Sequence, residues 1–238
     1  MKRYQKFIIL MVLSSTVYLI YLFTNNTSIK YTILGDSLSM GQNSFGGLTY
    51  GYEDYLKEYF SKNNKVICID YYTSKNKDIK TLYNDILQDQ TIIIDNNNNN
   101  IKKILQESDI ITISIGLNDI IYEYSIKNKV SLTTYEEDKI IDYIYDNFKS
   151  LISEIRKYTK RKIYIIGYPE KNVVYKDLIA KLNMKYLEFT KTDNSSFIDT
   201  NKLLNREDYF ENKYSLFPNT KGYKIISDNI INEYKNEK

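Results

Sequence analysis

Short apolar runs rich in β-branched residues alternate along this chain with longer segments whose apolar positions recur every three or four residues. The runs Lys30–Leu34, Lys65–Tyr71, Asp109–Ile115, Lys162–Ile166 and Ser196–Asp199 predict strands, and the segments between them predict amphipathic helices. Leu48, Tyr52, Tyr55, Leu56 and Tyr59 mark the first helix, and Ile79, Leu82, Tyr83, Ile86 and Leu87 the second. A short helix is expected over Ile101–Glu107. The longest carries Ile141, Ile144, Phe148, Leu151, Ile155 and Tyr158 on one face and opens on a capping box of Thr134 with Glu137. Helices over Val173–Phe189 and beyond Pro218-Asn219 complete the series, the last with Tyr223, Ile226, Ile230 and Tyr234 facing inward. Such alternation implies βαβ units: an α/β/α sandwich around five parallel strands, joined by right-handed crossovers. Asp109–Ile115 is apolar on both faces and is expected at the centre of the sheet. Asp95 and the asparagines Asn96–Asn100 are expected to form a surface loop.

The N-terminal stretch departs from this pattern. Lys2, Arg3 and Lys6 precede an uncharged, mostly apolar run, Phe7–Phe23, at the short end of the roughly 17–25 residues that cross a bilayer as a helix. The run exceeds the ~7–15-residue core of a secretory signal, and no Ala-x-Ala-like cleavage site or lipobox cysteine follows it. Residues 1–29 are therefore expected to be a membrane anchor and linker, with a cleaved signal as the alternative. Residues 30–238 then form one domain outside the cytoplasmic membrane. A composition 42% hydrophobic and 26% charged is that of a globular chain. A net charge of +3 with no Arg-rich patch argues against nucleic acid as a partner. The abundant Lys and Asn reflect an A/T-rich bias and read largely as solvated surface. Cys68 sits in an apolar run and reads as a small buried hydrophobe. With a single cysteine and no histidine, neither a metal constellation nor a cofactor is expected.

Three motifs fall where a parallel sheet would gather them, at the C-terminal edge of its strands. Gly35-Asp36-Ser37-Leu38-Ser39 follows the first strand, Gly116-Leu117-Asn118-Asp119 follows the third, and Pro218-Asn219-Thr220-Lys221-Gly222-Tyr223 opens the last helix. In this order they resemble the SGNH, or GDSL, family of serine esterases and lipases, from about Lys30 to the C-terminus. The resemblance implies a flavodoxin-like SGNH-hydrolase sandwich. It implies Ser37 as nucleophile and as an oxyanion-hole N–H, and Asn118 as the side-chain donor of that hole, where fixed donors stabilise a developing oxyanion. Asp36 and Asp119 are expected to hold their loops by local hydrogen bonds.

The departures from that family carry as much information. The family's second block supplies a glycine whose N–H completes the oxyanion hole. Here no glycine lies between Gly51 and Gly116, and the position falls near Lys75, within Thr73-Ser74-Lys75-Asn76. A requirement for positive φ there would strain the lysine. The final block of the family reads Asp-x-x-His-Pro-Asn, whereas this chain reads Tyr214-Ser215-Leu216-Phe217-Pro218-Asn219. Phe217 thus stands at the position of the general base and Tyr214 at that of the aspartate that orients it. A serine hydroxyl without a base is a poor nucleophile. Glu170, after the fourth strand, and Asp70, at the end of the second, are the candidate replacement bases, each also readable as a solvated loop carboxylate. Tyr214 is a poor base at neutral pH, with an unperturbed pKa of about 10. Two functions remain: an inactive relative that keeps a pocket for an acyl ester, such as an acylated glycan or other cell-envelope ligand, or a weak esterase using Ser37 with a non-histidine base.

Overall fold

β1 (Ile29–Gly35) lies between β2 (Ile67–Thr73) and β5 (Ile110–Ser114), and the rest of the sheet extends from that trio. The structure is a computed structural model in which residues 28–62, 67–94, 97–127 and 131–236 are described, with positions 4, 11–16 and 18 nearer the N-terminus. β6 (Ile163–Ile166) and β7 (Ser195–Ile198) extend the sheet to five strands in the order β2-β1-β5-β6-β7, all parallel. β5 is central and buried along its whole length, as its two apolar faces require.

The helices cover the sheet in two groups. α1 (Tyr52–Lys62) packs on α8 (Thr220–Asn236), while α5 (Thr134–Arg156) packs on both α2 (Ile79–Leu87) and α6 (Lys176–Thr190). α3 (Ile101–Glu107) leads into β5, α4 (Leu117–Ile126) leaves it, and α7 (Thr200–Leu203) follows β7. The inward stripe of α5 is buried as its spacing predicts, with Phe148 packed at a tilt of 34° on Tyr186 at a centroid distance of 4.2 Å and edge-on to Phe189 at 5.5 Å.

Several expectations shift. The capping box of α5 uses Thr133 and Glu136, one residue earlier than expected. Thr133-Thr134 and Glu136-Glu137 offer two registers, and the one taken puts extended backbone at Thr133 (ψ 156°) and its hydroxyl on the Glu136 N–H. Glu137 is thereby free to pair with Lys181 at 3.1 Å. The asparagine run is not wholly loop: Asn97–Asn100 forms β4, antiparallel to β3 (Thr91–Ile94). Asparagine has little strand propensity of its own, and the adjacent Thr-Ile-Ile-Ile segment supplies the partner backbone. β2 runs on to Thr73, which pairs with Gly35 and carries the following turn to the edge of the site. α4 has no counterpart among the expected helices. It starts directly from Gly116, without a side-chain cap.

The apolar run read as an anchor lies mostly outside the described residues, and among the described residues no helix is long and apolar enough to cross a membrane. Cys68 is placed on β2, in register with Lys30, but its side chain lies outside what is described.

Phe148→Ala should leave a cavity where α5 meets α6 and lower stability by about 3–5 kcal/mol. Urea denaturation checks this, and a loss below about 1 kcal/mol would show that the α5–α6 contact contributes little to the core.

Candidate active site

The chain leaves β1 through a backbone shape that only glycine adopts easily. Gly35 has φ +124°, and a Cβ built on it would sit 1.9 Å from the Ser114 carbonyl oxygen of β5. Asp36 N–H then donates to that same oxygen at 2.9 Å. The Asp36 carboxylate accepts from the Leu38 N–H at 3.1 Å and from the Tyr168 hydroxyl. The Ser37 carbonyl accepts from Met40 and Gln42 N–H groups, and the Ser39 hydroxyl donates back to the Leu34 carbonyl. The tight turn presents Ser37 at the C-terminal edge of the sheet with 7% of its surface exposed, so its hydroxyl depends on protein partners.

That hydroxyl has an unexpected acceptor. Ser37 Oγ donates to the Lys75 backbone carbonyl at 3.0 Å. Asn118 Nδ2 donates to the same oxygen at 2.9 Å, and to the Lys77 carbonyl at 2.9 Å. The three residues are therefore together, but a carbonyl of the chain fills the point where the two side-chain donors converge. The segment is pinned from several sides: Ser74 N–H donates to the Gly35 carbonyl at 3.1 Å, Lys77 N–H to the Ser74 carbonyl at 3.0 Å, and Lys75 Nζ to the Gly46 carbonyl at 2.6 Å. Strain at Lys75 does not arise, since Asp89 is the one non-glycine residue at positive φ among those described.

Asn118 is aimed by Gly116 and Asp119. Gly116 has φ +118°, and a Cβ there would meet the Tyr186 hydroxyl at 2.7 Å. The Asp119 carboxylate accepts from the Ile79 N–H at the start of α2, at 3.2 and 3.4 Å, so it ties α4 to α2. Both aspartates hold their loops as their turn positions suggest. Burial pushes each carboxyl up to about 7, although their donors favour the charged form. Glu53, buried at the start of α1, is pushed up to about 8 for the same reason.

Among the described residues, no carboxylate oxygen lies within hydrogen-bond reach of the Ser37 hydroxyl. Phe217 is buried, and Tyr214 is 60% exposed, its backbone carbonyl accepting from Asn172 at 3.2 Å. Glu170 is not a freely solvated carboxylate, since one oxygen accepts from Asn183 at 3.2 Å and the other from Asn201 at 3.0 Å. Asp70 is not at the strand end. It pairs with Thr32, three residues before Thr73, and so stands about 10 Å back from the edge at the usual strand rise.

Two contacts escaped the reading of the sequence. Tyr168 reaches Asp36 from the Gly167-Tyr168-Pro169 turn after β6, and its only advance signal was its place at the same sheet edge. Ser44 donates to Ser215 at 2.6 Å, joining the loop after β1 to the segment before α8. Among the described residues, the arrangement brings two side-chain donors, Ser37 Oγ and Asn118 Nδ2, onto one carbonyl oxygen.

Residues 33–225 match the family model described as the GDSL-like lipase/acylhydrolase family. No curated protein matches the chain. Among solved structures, a lipase from a goat rumen metagenome superposes with a TM-score of 0.70 at 17% identity, over 86% of this chain and 97% of that one. A lipase/acylhydrolase from Enterococcus faecalis gives 0.61 at 15% identity, over 88% and 96%. An acetyl xylan esterase from Geobacillus stearothermophilus gives 0.59 at 18% identity, over 88% and 96%. At these identities the likeness is one of fold.

The three raised carboxyls set a pH dependence. Each is ionised near pH 4 when unfolded and keeps its proton to about 7 or 8 when folded, so the folded state binds more protons between those values and loses stability as pH rises through them. The urea midpoint is expected to be lower at pH 8.5 than at pH 5, with the drop reduced in Asp36→Asn and Asp119→Asn. A midpoint that rises over this interval would contradict the assignment.

Proposed function

This chain belongs to the GDSL-like lipase/acylhydrolase family, and on that footing we propose that it is a catalytically impaired member that binds an acyl-ester ligand at the Ser37–Asn118 pocket. The ligand class is an acylated glycan or another acylated component of the cell envelope. The N-terminal apolar run holds the domain outside the cytoplasmic membrane. One observation carries the reading: the Ser37 hydroxyl donates to the Lys75 carbonyl, while Phe217 and Tyr214 stand where the family has its base and orienting aspartate. Serine attacks an ester only when a neighbouring group takes its proton. An intact oxyanion hole alone leaves about 10³–10⁴-fold catalysis over water, and here that hole is filled by a carbonyl of the chain itself. The glycan ligand is supported by the fold-level likeness to an acetyl xylan esterase, and the export by Lys2, Arg3 and Lys6 ahead of Phe7–Phe23.

A second reading, a weak esterase with a non-histidine base, is favoured by the convergence of Ser37 Oγ and Asn118 Nδ2 on one oxygen. Hydrolysis of p-nitrophenyl acetate and labelling by a fluorophosphonate separate the two. Turnover by the protein is expected to equal that of Ser37→Ala. Tyr214→Asp with Phe217→His should gain Ser37-dependent turnover, on the order of 10²-fold or more, the usual contribution of a positioned base. Ser37-dependent labelling and turnover in the unmodified chain would overturn the impaired reading in favour of the esterase.

A further inference from the structure

The four residues Ser74-Lys75-Asn76-Lys77 close a β-turn through the Lys77 N–H to Ser74 carbonyl bond of 3.0 Å. Neither central residue is at positive φ, which excludes type II and, with the closing bond, fits type I. The peptide joining Lys75 to Asn76 is its central unit, and that peptide's carbonyl is the one held by Ser37 and Asn118. Its N–H, on Asn76, donates to no group among the described residues.

A type II turn has the same ends and the same closing bond but turns the central peptide over by about 180°. It needs positive φ at the third residue, a conformation taken readily by glycine and next by asparagine. The third residue here is Asn76. We propose that this turn is a two-state plug of the pocket: in the closed, type I form the Lys75 carbonyl fills the donor site, and in the open, type II form it swings out and the Asn76 N–H swings in. The ligand's carbonyl oxygen then replaces the Lys75 oxygen and accepts from Ser37 Oγ, Asn118 Nδ2 and Asn76 N–H. Asn76 thus supplies a backbone donor in a chain with no glycine between Gly51 and Gly116.

The surrounding contacts allow the exchange. The closing bond, the bond from Ser74 N–H to the Gly35 carbonyl, and that from Asn118 to the Lys77 carbonyl all involve groups outside the central peptide, so they survive the flip. The Lys75 ammonium holds the Gly46 carbonyl through a flexible four-carbon stem, which can follow the backbone. Closure keeps two donors of a part-buried site satisfied when no ligand is present, and an unpaired buried donor is what folding penalises. The site opens only to a ligand that brings its own acceptor.

The inference rests on reading the pocket as a carbonyl-binding site, and its test does not depend on hydrolysis. Asn76→Gly removes the barrier to positive φ, and Asn76→Ala raises it, each shifting the open population about tenfold in opposite directions. The crystal structure of full-length Asn76→Gly is expected to show positive φ at position 76, with the Lys75 carbonyl withdrawn from Ser37 and Asn118. In the unmodified protein, ¹⁵N relaxation dispersion is expected at residues 75–77 and at the Asn118 side-chain amide, and it should vanish in Asn76→Ala. A glycine variant that keeps negative φ at position 76, with Lys75 still bound to both side chains, would overturn the plug. Release of the plug in that variant alongside absent turnover in the Tyr214→Asp, Phe217→His protein would overturn the expectation that the base is the missing part and leave the plug standing.

Discussion

The close approach of Gly35 to the Ser114 carbonyl sets the geometry from which the site follows. Parallel strands lie a fixed distance apart, and at the end of β1 the chain must turn sharply without leaving the hydrogen-bonded edge of β5. Any side chain at position 35 would push the two strands apart. The turn that results buries Asp36, lifts Ser37 to the edge and brings the Gly35 carbonyl to the Ser74 N–H, so the contents of the next loop are placed by the exit from the first strand.

Beneath that edge lies a set of buried tyrosines that act as struts. Tyr168 reaches Asp36, Tyr186 the Ile115 carbonyl at 2.8 Å, and Tyr223 the Gln42 carbonyl at 2.6 Å. Each hydroxyl comes from a different part of the chain and ends on the backbone or side chain of a segment at the sheet edge, and burial holds each phenol well above its ordinary pKa, so all remain donors. A chain with 25 tyrosines and no tryptophan builds its core partly from rings that carry a polar tip, and that tip needs a partner when buried. The loops over the sheet supply those partners, which ties core packing to the placement of the site.

The five sheet strands were legible because burial on one or both faces leaves an apolar run, and the long helices because one stripe must face the sheet. What escaped was set by choices between equivalent local options. Thr133 and Thr134 offer the same cap, and only the backbone direction entering α5 selects between them. The asparagine strand depends on pairing with Thr91–Ile94 rather than on its own side chains. The end of β2 is not fixed by hydropathy, and the strand runs three residues past Asp70 to Thr73. In the site, the residue types were legible one by one, among them Phe217 and Tyr214 before the last helix. The direction of the Lys75 peptide was not, because a backbone carbonyl leaves no trace in the side-chain pattern.

The Asn118 amide holds two carbonyls of one loop, those of Lys75 and Lys77, at 2.9 Å each. Such an asparagine is a brace whatever else it does, and a well-formed loop is by itself a reason to keep it. The same holds for the serine that shares one of its acceptors. Two of the residues by which this fold is recognised therefore carry an architectural load of their own, and their presence in a sequence reports first on the shape of the loop they hold.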